Sequence, residues 1–200
     1  MATPLVSGSA ALVRQFYVEN QGLQFVSAAL LKATLINGAD DLYPGQFGFG
    51  AVEEIPSQRP NIHEGWGRVN LEKTLVYKNR ALQFFDETVG ISTGKEKTYQ
   101  VTVADSSEPL KITLAYTDYP GSTSARKALV NDLDLIVQAP ARSKMYFSNG
   151  LNSADRANNV EGVDILTPAV GTYTITVRGH QVPNGRNGAQ PYALVITGGM

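Results

Sequence analysis

The stretch LKITLAY, residues 110–116, decides the fold class. Leu110, Ile112, Leu114 and Tyr116 alternate with Lys111, Thr113 and Ala115, the two-residue period of a strand with one face on a core. The same period returns in TYQVTV (Tyr99, Val101, Val103), DLDLIV (Leu133, Leu135, Val137), TYTITV (Tyr173, Ile175, Val177) and PYALVIT (Tyr192, Leu194, Ile196). LQFFDET and GVDIL read as further strands, and turn residues lie between the segments. Alternation repeated this often predicts a two-sheet antiparallel sandwich or jelly roll over residues 79–200.

Upstream the period changes. In the first 16 residues Leu5, Ser9, Leu12, Val13 and Phe16 recur at three- and four-residue spacing and predict a helix with one apolar face. Pro4 suits its first turn. A second helix is expected over SAALLKATLING, with Ser27 as N-cap and Gly38 just past the end. Leu30, Leu31, Ala33, Leu35 and Ile36 leave that helix little polar face, so it must be covered on more than one side. Residues 39–65 look irregular, and a short helix follows at NLEKTLVY. No strong strand lies in this half, so residues 5–16 and 27–37 are expected to pack on strands of another polypeptide, or of this one rearranged by oligomerisation. The expected organisation is therefore an α + β chain in two parts: residues 1–78, an incomplete helical core, and residues 79–200, the β domain. The boundary falls near Lys78–Ala81.

Composition narrows the function classes. Of 200 residues 42% are hydrophobic and 18% charged, which is ordinary for a globular chain. Seventeen basic and eighteen acidic residues leave a formal net charge of -1, and with no basic run nothing favours a nucleic acid or a membrane surface. The N-terminus does not read as a signal peptide: it lacks a basic start and Arg14 breaks the apolar run. Without cysteine, disulfides, thiolate zinc sites and a thiol nucleophile are excluded.

MATPLVSGSAALV, residues 1–13, resembles the subtilisin-like serine proteases, whose active-site motif runs Gly-Thr-Ser-Met-Ala-Thr-Pro into a helix rich in small residues. Three further segments follow in the family's order. Ser27–Ala39 resembles its next core helix, and Gly65–Leu75 (GWGRVNLEKTL) the turn and short helix that close its domain. LVNDLDLIVQAP with NNVEGV resembles the jelly-roll-like C-terminal β domain of bacterial alkaline members. The resemblance implies that residues 1–78 are the C-terminal piece of an α/β protease domain. A serine just before such a helix gains from its free N–H groups and dipole. Ala2, Gly8, Ala10 and Ala11 would let the helix pack closely beneath the site. Met1 would flank the nucleophile and confer sensitivity to oxidation.

The same resemblance sets Asp, His, Ser and the oxyanion donor all before Met1. Neither His63 nor His180 matches the family's catalytic histidine. The expected function is thus the C-terminal part of a secreted, extracellular subtilisin-like serine endopeptidase, inactive by itself. Its partners would be the N-terminal catalytic part and a protein or peptide substrate. A non-catalytic β-sandwich binding or structural domain is the alternative.

Other motifs compete. GISTG, Gly90–Gly94, fits the G-x-S-x-G pattern and offers Ser92 as an esterase nucleophile with His180, but the pattern needs a strand–turn–helix context. KEKTYQVTV follows instead, so a hairpin loop is expected. The acidic loops of the β domain carry hard oxygen donors that suit Ca²⁺. Asp118, Asp132, Asp134, Asn159 and Glu161 are the candidate ligands, in keeping with the calcium of related β domains. Asp155, Asn158 and Asp164 read equally as turn or surface residues. Trp66, between two glycines, reads as a packing residue rather than a sugar platform. Arg178–Gly188 is expected to be a polar connection between the last two strands.

Overall fold

The alternating segments form strands, and their apolar faces close on one another. The computed structural model describes residues 2–185 and 187–200. Among these, the strands are β1 (Ala81–Ile91), β2 (Glu96–Val103), β3 (Leu110–Ala115), β4 (Asp132–Gln138), β5 (Met145–Phe147), β6 (Val160–Ile165), β7 (Gly171–Gln181) and β8 (Gln190–Gly198). They form two four-stranded sheets, ordered β1-β8-β3-β6 and β2-β7-β4-β5, with every pairing antiparallel. This is the strand order of an eight-stranded jelly roll. The inward set named from the alternation, from Tyr99 through Leu114 and Leu135 to Ile196, is buried in one cluster between the sheets.

Two details differ from expectation. GISTG is not a hairpin: β1 pairs with β8 and β2 with β7, so residues 92–95 cross from one sheet to the other. Gly90, at φ 82°, brings its backbone so close to β8 that a Cβ would lie 2.4 Å from the Gln190 carbonyl carbon. Arg178–Gln181 belong to β7 rather than to the loop that follows it.

The helices are α1 (Ala2–Glu19), α2 (Ala28–Asn37) and α3 (Leu71–Leu75). Ser27 caps α2, its Oγ accepting the Leu30 N–H at 3.0 Å, and Asn70 caps α3 by accepting from Lys73 N. Gly38 caps the end of α2, and Thr74 leaves no room for a side chain there; a Cβ would lie 2.2 Å from Thr74 Oγ1.

The cover for α2 comes from this chain itself, which corrects the expectation of foreign or exchanged strands. Leu30, Ala33 and Leu35 pack on the outer face of the β1-β8-β3-β6 sheet against Ala115, Val160, Ala193 and Val195, with Val13 and Tyr17 of α1 closing the cluster. The reason is that β8 and β3 carry small apolar residues on their second face as well, so the sheet is buried on both sides. Buried polar side chains fasten the layer. Asn37 Nδ2 donates to the Lys111 and Val195 carbonyls at 3.1 and 3.3 Å, and Asn37 Oδ1 accepts from Thr197 Oγ1 at 2.7 Å. Tyr17 and Thr34 hydroxyls bond at 2.8 Å, and the Ser27 N–H donates to Asp86.

The face that α1 buries also differs. Ser9, Val13 and Tyr17 point inward, whereas Leu5 is 74% and Leu12 46% exposed. No helix among the described residues is long and apolar enough to cross a membrane.

Candidate functional site

The predicted cation ligands lie at one end of the sandwich, but they do not form a single shell. Asp132 and Asp134, two residues apart on β4, share the face opposite Leu133 and Leu135. Both are buried, and both meet Arg156 from the loop before β6. Arg156 Nη1 lies 3.1 Å from Asp132 and also bonds Asp134, and Lys127 Nζ is 3.3 Å from the second Asp132 oxygen.

Glu161, fully buried on β6, turns inward where β5 leaves the sheet. Its Oε2 accepts the Leu135 N–H at 2.5 Å, a donor that a longer β5 would have taken. Oε1 and the Ser148 Oγ beside it are buried together and make no hydrogen bond of good geometry among the described residues, although the hydroxyl is near enough to favour the charged carboxylate. Burial pushes this carboxyl well above the usual range, against the pull of the Leu135 N–H and the Ser148 hydroxyl.

Asp118 and Asn159 do other work. The Asp118 oxygens accept N–H groups of Tyr119, Val130 and Asn131, all at 2.8 Å, and pin the ends of the loop between them. Asn159 Nδ2 donates to the Tyr116 carbonyl at 3.1 Å.

Asp155 proves more central than its turn-like context indicated. It is 3% exposed and accepts from the Asn149 and Asn158 side chains at 2.6 and 2.7 Å and from the Ala157 N–H at 2.8 Å. Burial works to raise its pKa, but these donors hold it below the usual carboxylate range. Arg156 and Lys127 are the residues that sequence reasoning missed. Buried carboxylates demand a counter-charge, and the only signal was that demand.

The donor chemistry of this cluster suits a hard cation, but its arrangement does not fit one as it stands. Calcium takes six to eight oxygens, and here the Asp132 and Asp134 oxygens are turned onto Arg156 and Lys127. Among the described residues no group of three or more His, Cys, Asp or Glu side chains is placed to hold a metal ion.

Ser92 is followed by β2, not by a helix, so the esterase elbow lacks its context. Among the described residues no hydrogen bond joins it to His180, which is exposed on β7, and His63 is exposed in a turn capped by Asn61. Trp66 packs: its ring covers Gly162, where a Cβ would lie 2.6 Å from the ring. Its flanking Gly65 and Gly67 hold φ of 62° and 90°, which glycine adopts freely. Met1 lies outside the described residues, and so does Arg186 in the loop before β8.

Arg59, in the segment read as irregular, is a buried cation. Its guanidinium donates to the Ile36, Ala39 and Trp66 carbonyls at 2.8, 3.0 and 3.2 Å and pairs with Asp164 at 2.8 Å. It satisfies the open C-terminal end of α2 and binds the 57–66 loop to β6.

No protein-family model matches the chain. It is similar to two proteins of Dictyostelium discoideum, the serine protease/ABC transporter B family proteins tagA and tagB. The identities are 27% and 26%, over 98% and 99% of this chain. The chain spans only 12% and 13% of the length of those relatives. Among solved structures, a periplasmic inhibitor of g-type lysozyme from Aeromonas hydrophila aligns with 60% of this chain and 83% of its own, at 15% identity and a TM-score of 0.28. The chain is thus related in sequence to proteins named for a serine protease, and it is built on a β-sandwich.

Proposed function

We propose that this chain is the C-terminal part of a subtilisin-like serine endopeptidase, with residues 1–78 completing the protease domain and residues 79–200 forming its β domain. The observation that carries the reading is the alignment of nearly the whole chain with proteins named serine protease. A second feature supports it. Leu5, Val6 and Leu12 of α1 stand exposed on a helix whose other face is packed, as expected of a helix that another part of a larger core would cover. The nucleophilic serine would stand directly before Met1, where the α1 N–H groups favour developing negative charge. The histidine and aspartate would come from the same missing part, and α1 would support the site from below.

An extracellular location and a protein or peptide substrate belong to this proposal through the family resemblance. Calcium belongs to it as well. Its support is the burial of Asp132, Asp134, Asp155 and Glu161 against, among the described residues, two half-exposed cations. An ion taken up there would replace the Arg156 guanidinium. Added Ca²⁺ should then raise the melting temperature and EDTA should reverse it; no shift in either direction counts against the ion.

The coding sequence upstream of residue 1 tests the main reading. An in-frame Gly-Thr-Ser joined to Met1 is expected, and any other sequence there removes the basis for a subtilisin-like nucleophile. The alternative, a non-catalytic binding domain, is favoured by the sandwich having a complete core of its own.

A further inference from the structure

Among the described residues the edge of β6 ends a sheet without a neighbouring strand, and part of it is already capped. Backbone groups of Val160, Gly162 and Asp164 alternate away from β3. The Asn149 side-chain amide donates to the Val160 carbonyl at 3.1 Å and accepts the Gly162 N–H at 2.9 Å. A carbonyl of one residue and the N–H of the residue two further on, both held by one amide, is the bonding of a parallel strand. Asn149 therefore occupies the first rung of a parallel ladder.

The next rung, the Gly162 carbonyl and the Asp164 N–H, has no partner among the described residues. It opens into a groove of about 630 Å³ between the 57–66 loop and the β5 edge of the other sheet. Trp66 and Arg59 flank one side, Met145 and Tyr146 the other. Charge in the groove is unbalanced. Asp164 is paired with Arg59, and the Asp41 oxygens accept the Tyr43 and Arg59 backbone N–H groups. Lys111 and Lys144 line it with no carboxylate within 4 Å among the described residues, and Lys144 sits 4.4 Å over the Tyr146 ring. Burial, with Arg59 nearby, pulls the Lys111 ammonium down to about 8, a cost that an incoming carboxylate would offset.

We propose that this groove binds an extended, acidic segment of another polypeptide, which continues the ladder begun by Asn149 as a strand parallel to β6 and sets a carboxylate between Lys111 and Lys144. Main-chain bonds supply affinity in this mode, and side-chain pockets supply selection. The proposal rests on the β6 edge and the groove lining alone, so it stands or falls independently of the protease reading.

The test uses the 200-residue chain and an acetylated, amidated seven-residue peptide of alternating Val and Thr with two central Glu. Titration followed by amide NMR should shift signals of residues 144–152 and 160–166, Asp164 foremost. Lys144→Glu, an exposed change, should weaken binding about fivefold or more, and N-methylation of alternate peptide amides should abolish it. Binding that survives N-methylation, an equal response to the Lys-for-Glu peptide, shifts centred elsewhere, or no binding at millimolar peptide would each overturn the proposal.

Discussion

The two faces of the β1-β8-β3-β6 sheet are closed to different degrees. Its inner face meets the second sheet across a core whose members, such as Leu114 and Ile175, are wholly buried. Its outer face carries α2, and α2 in turn carries α1, where closure stops: Leu5, Val6 and Leu12 face outward. A jelly roll completes itself within one chain, because each strand turns one apolar face to the other sheet. A helical layer completes itself only when something covers its last helix.

The largest effect should come from the closed side. Leu114→Ala removes a fully buried side chain between the sheets and should cost about 3–5 kcal/mol in urea melts. Leu30→Ala in the helical layer should cost about 2–4 kcal/mol. Its signature should be that Trp66 fluorescence, which reports on the helical side, melts before the far-ultraviolet signal. Coincident curves would show that both faces form one cooperative unit and would weaken the contrast.

Arg156→Ala leaves Asp132 and Asp134 buried without their main counter-charge and should cost about 2–3 kcal/mol, discounted because Arg156 is partly exposed. Calcium should restore part of that loss if the ion takes the guanidinium's place, and melting with and without it measures the point.

Asp40 gives a pH-dependent probe of the helical side. Burial works to raise its carboxyl, but Lys73, Asn70 and Arg68 outweigh that and hold it down to about 2. Because the folded pKa lies below the unfolded one, its contribution is complete above about pH 4 and is lost as pH falls toward 2. Asp40→Asn should flatten that acid limb and cost about 1 kcal/mol at pH 7. The smallest effect belongs to Leu5→Glu, which should change the stability of the 200-residue chain by less than about 0.5 kcal/mol. A large loss there would mean that α1 is covered after all.

The same contrast governs how much could be read from the sequence. Every inward residue inferred from two-residue alternation is in the sandwich core, because a strand with one buried face writes its burial into that period. The second buried face was less visible. Ala115, Ala193 and Val195 lie at positions that alternation assigns to solvent, and only their being small and apolar signalled a cover. Three-residue β5 is too short to show a period. The buried fasteners Asn37 and Arg59 sit in no motif; their partners are backbone carbonyls distant in sequence. In the cation cluster the acids were legible as hard donors. Arg156 directly follows Asp155 in the sequence, yet its role depends on a fold that brings it over β4.

The account rests on a serine that this chain does not contain, and a fluorophosphonate with intact-mass analysis tests it most directly. The chain alone and a longer product of the same reading frame would be treated side by side. The account predicts no adduct on the 200-residue chain and a single adduct on the longer protein, at the serine directly before Met1. An adduct on Ser92, or a longer protein with no adduct at all, would contradict it.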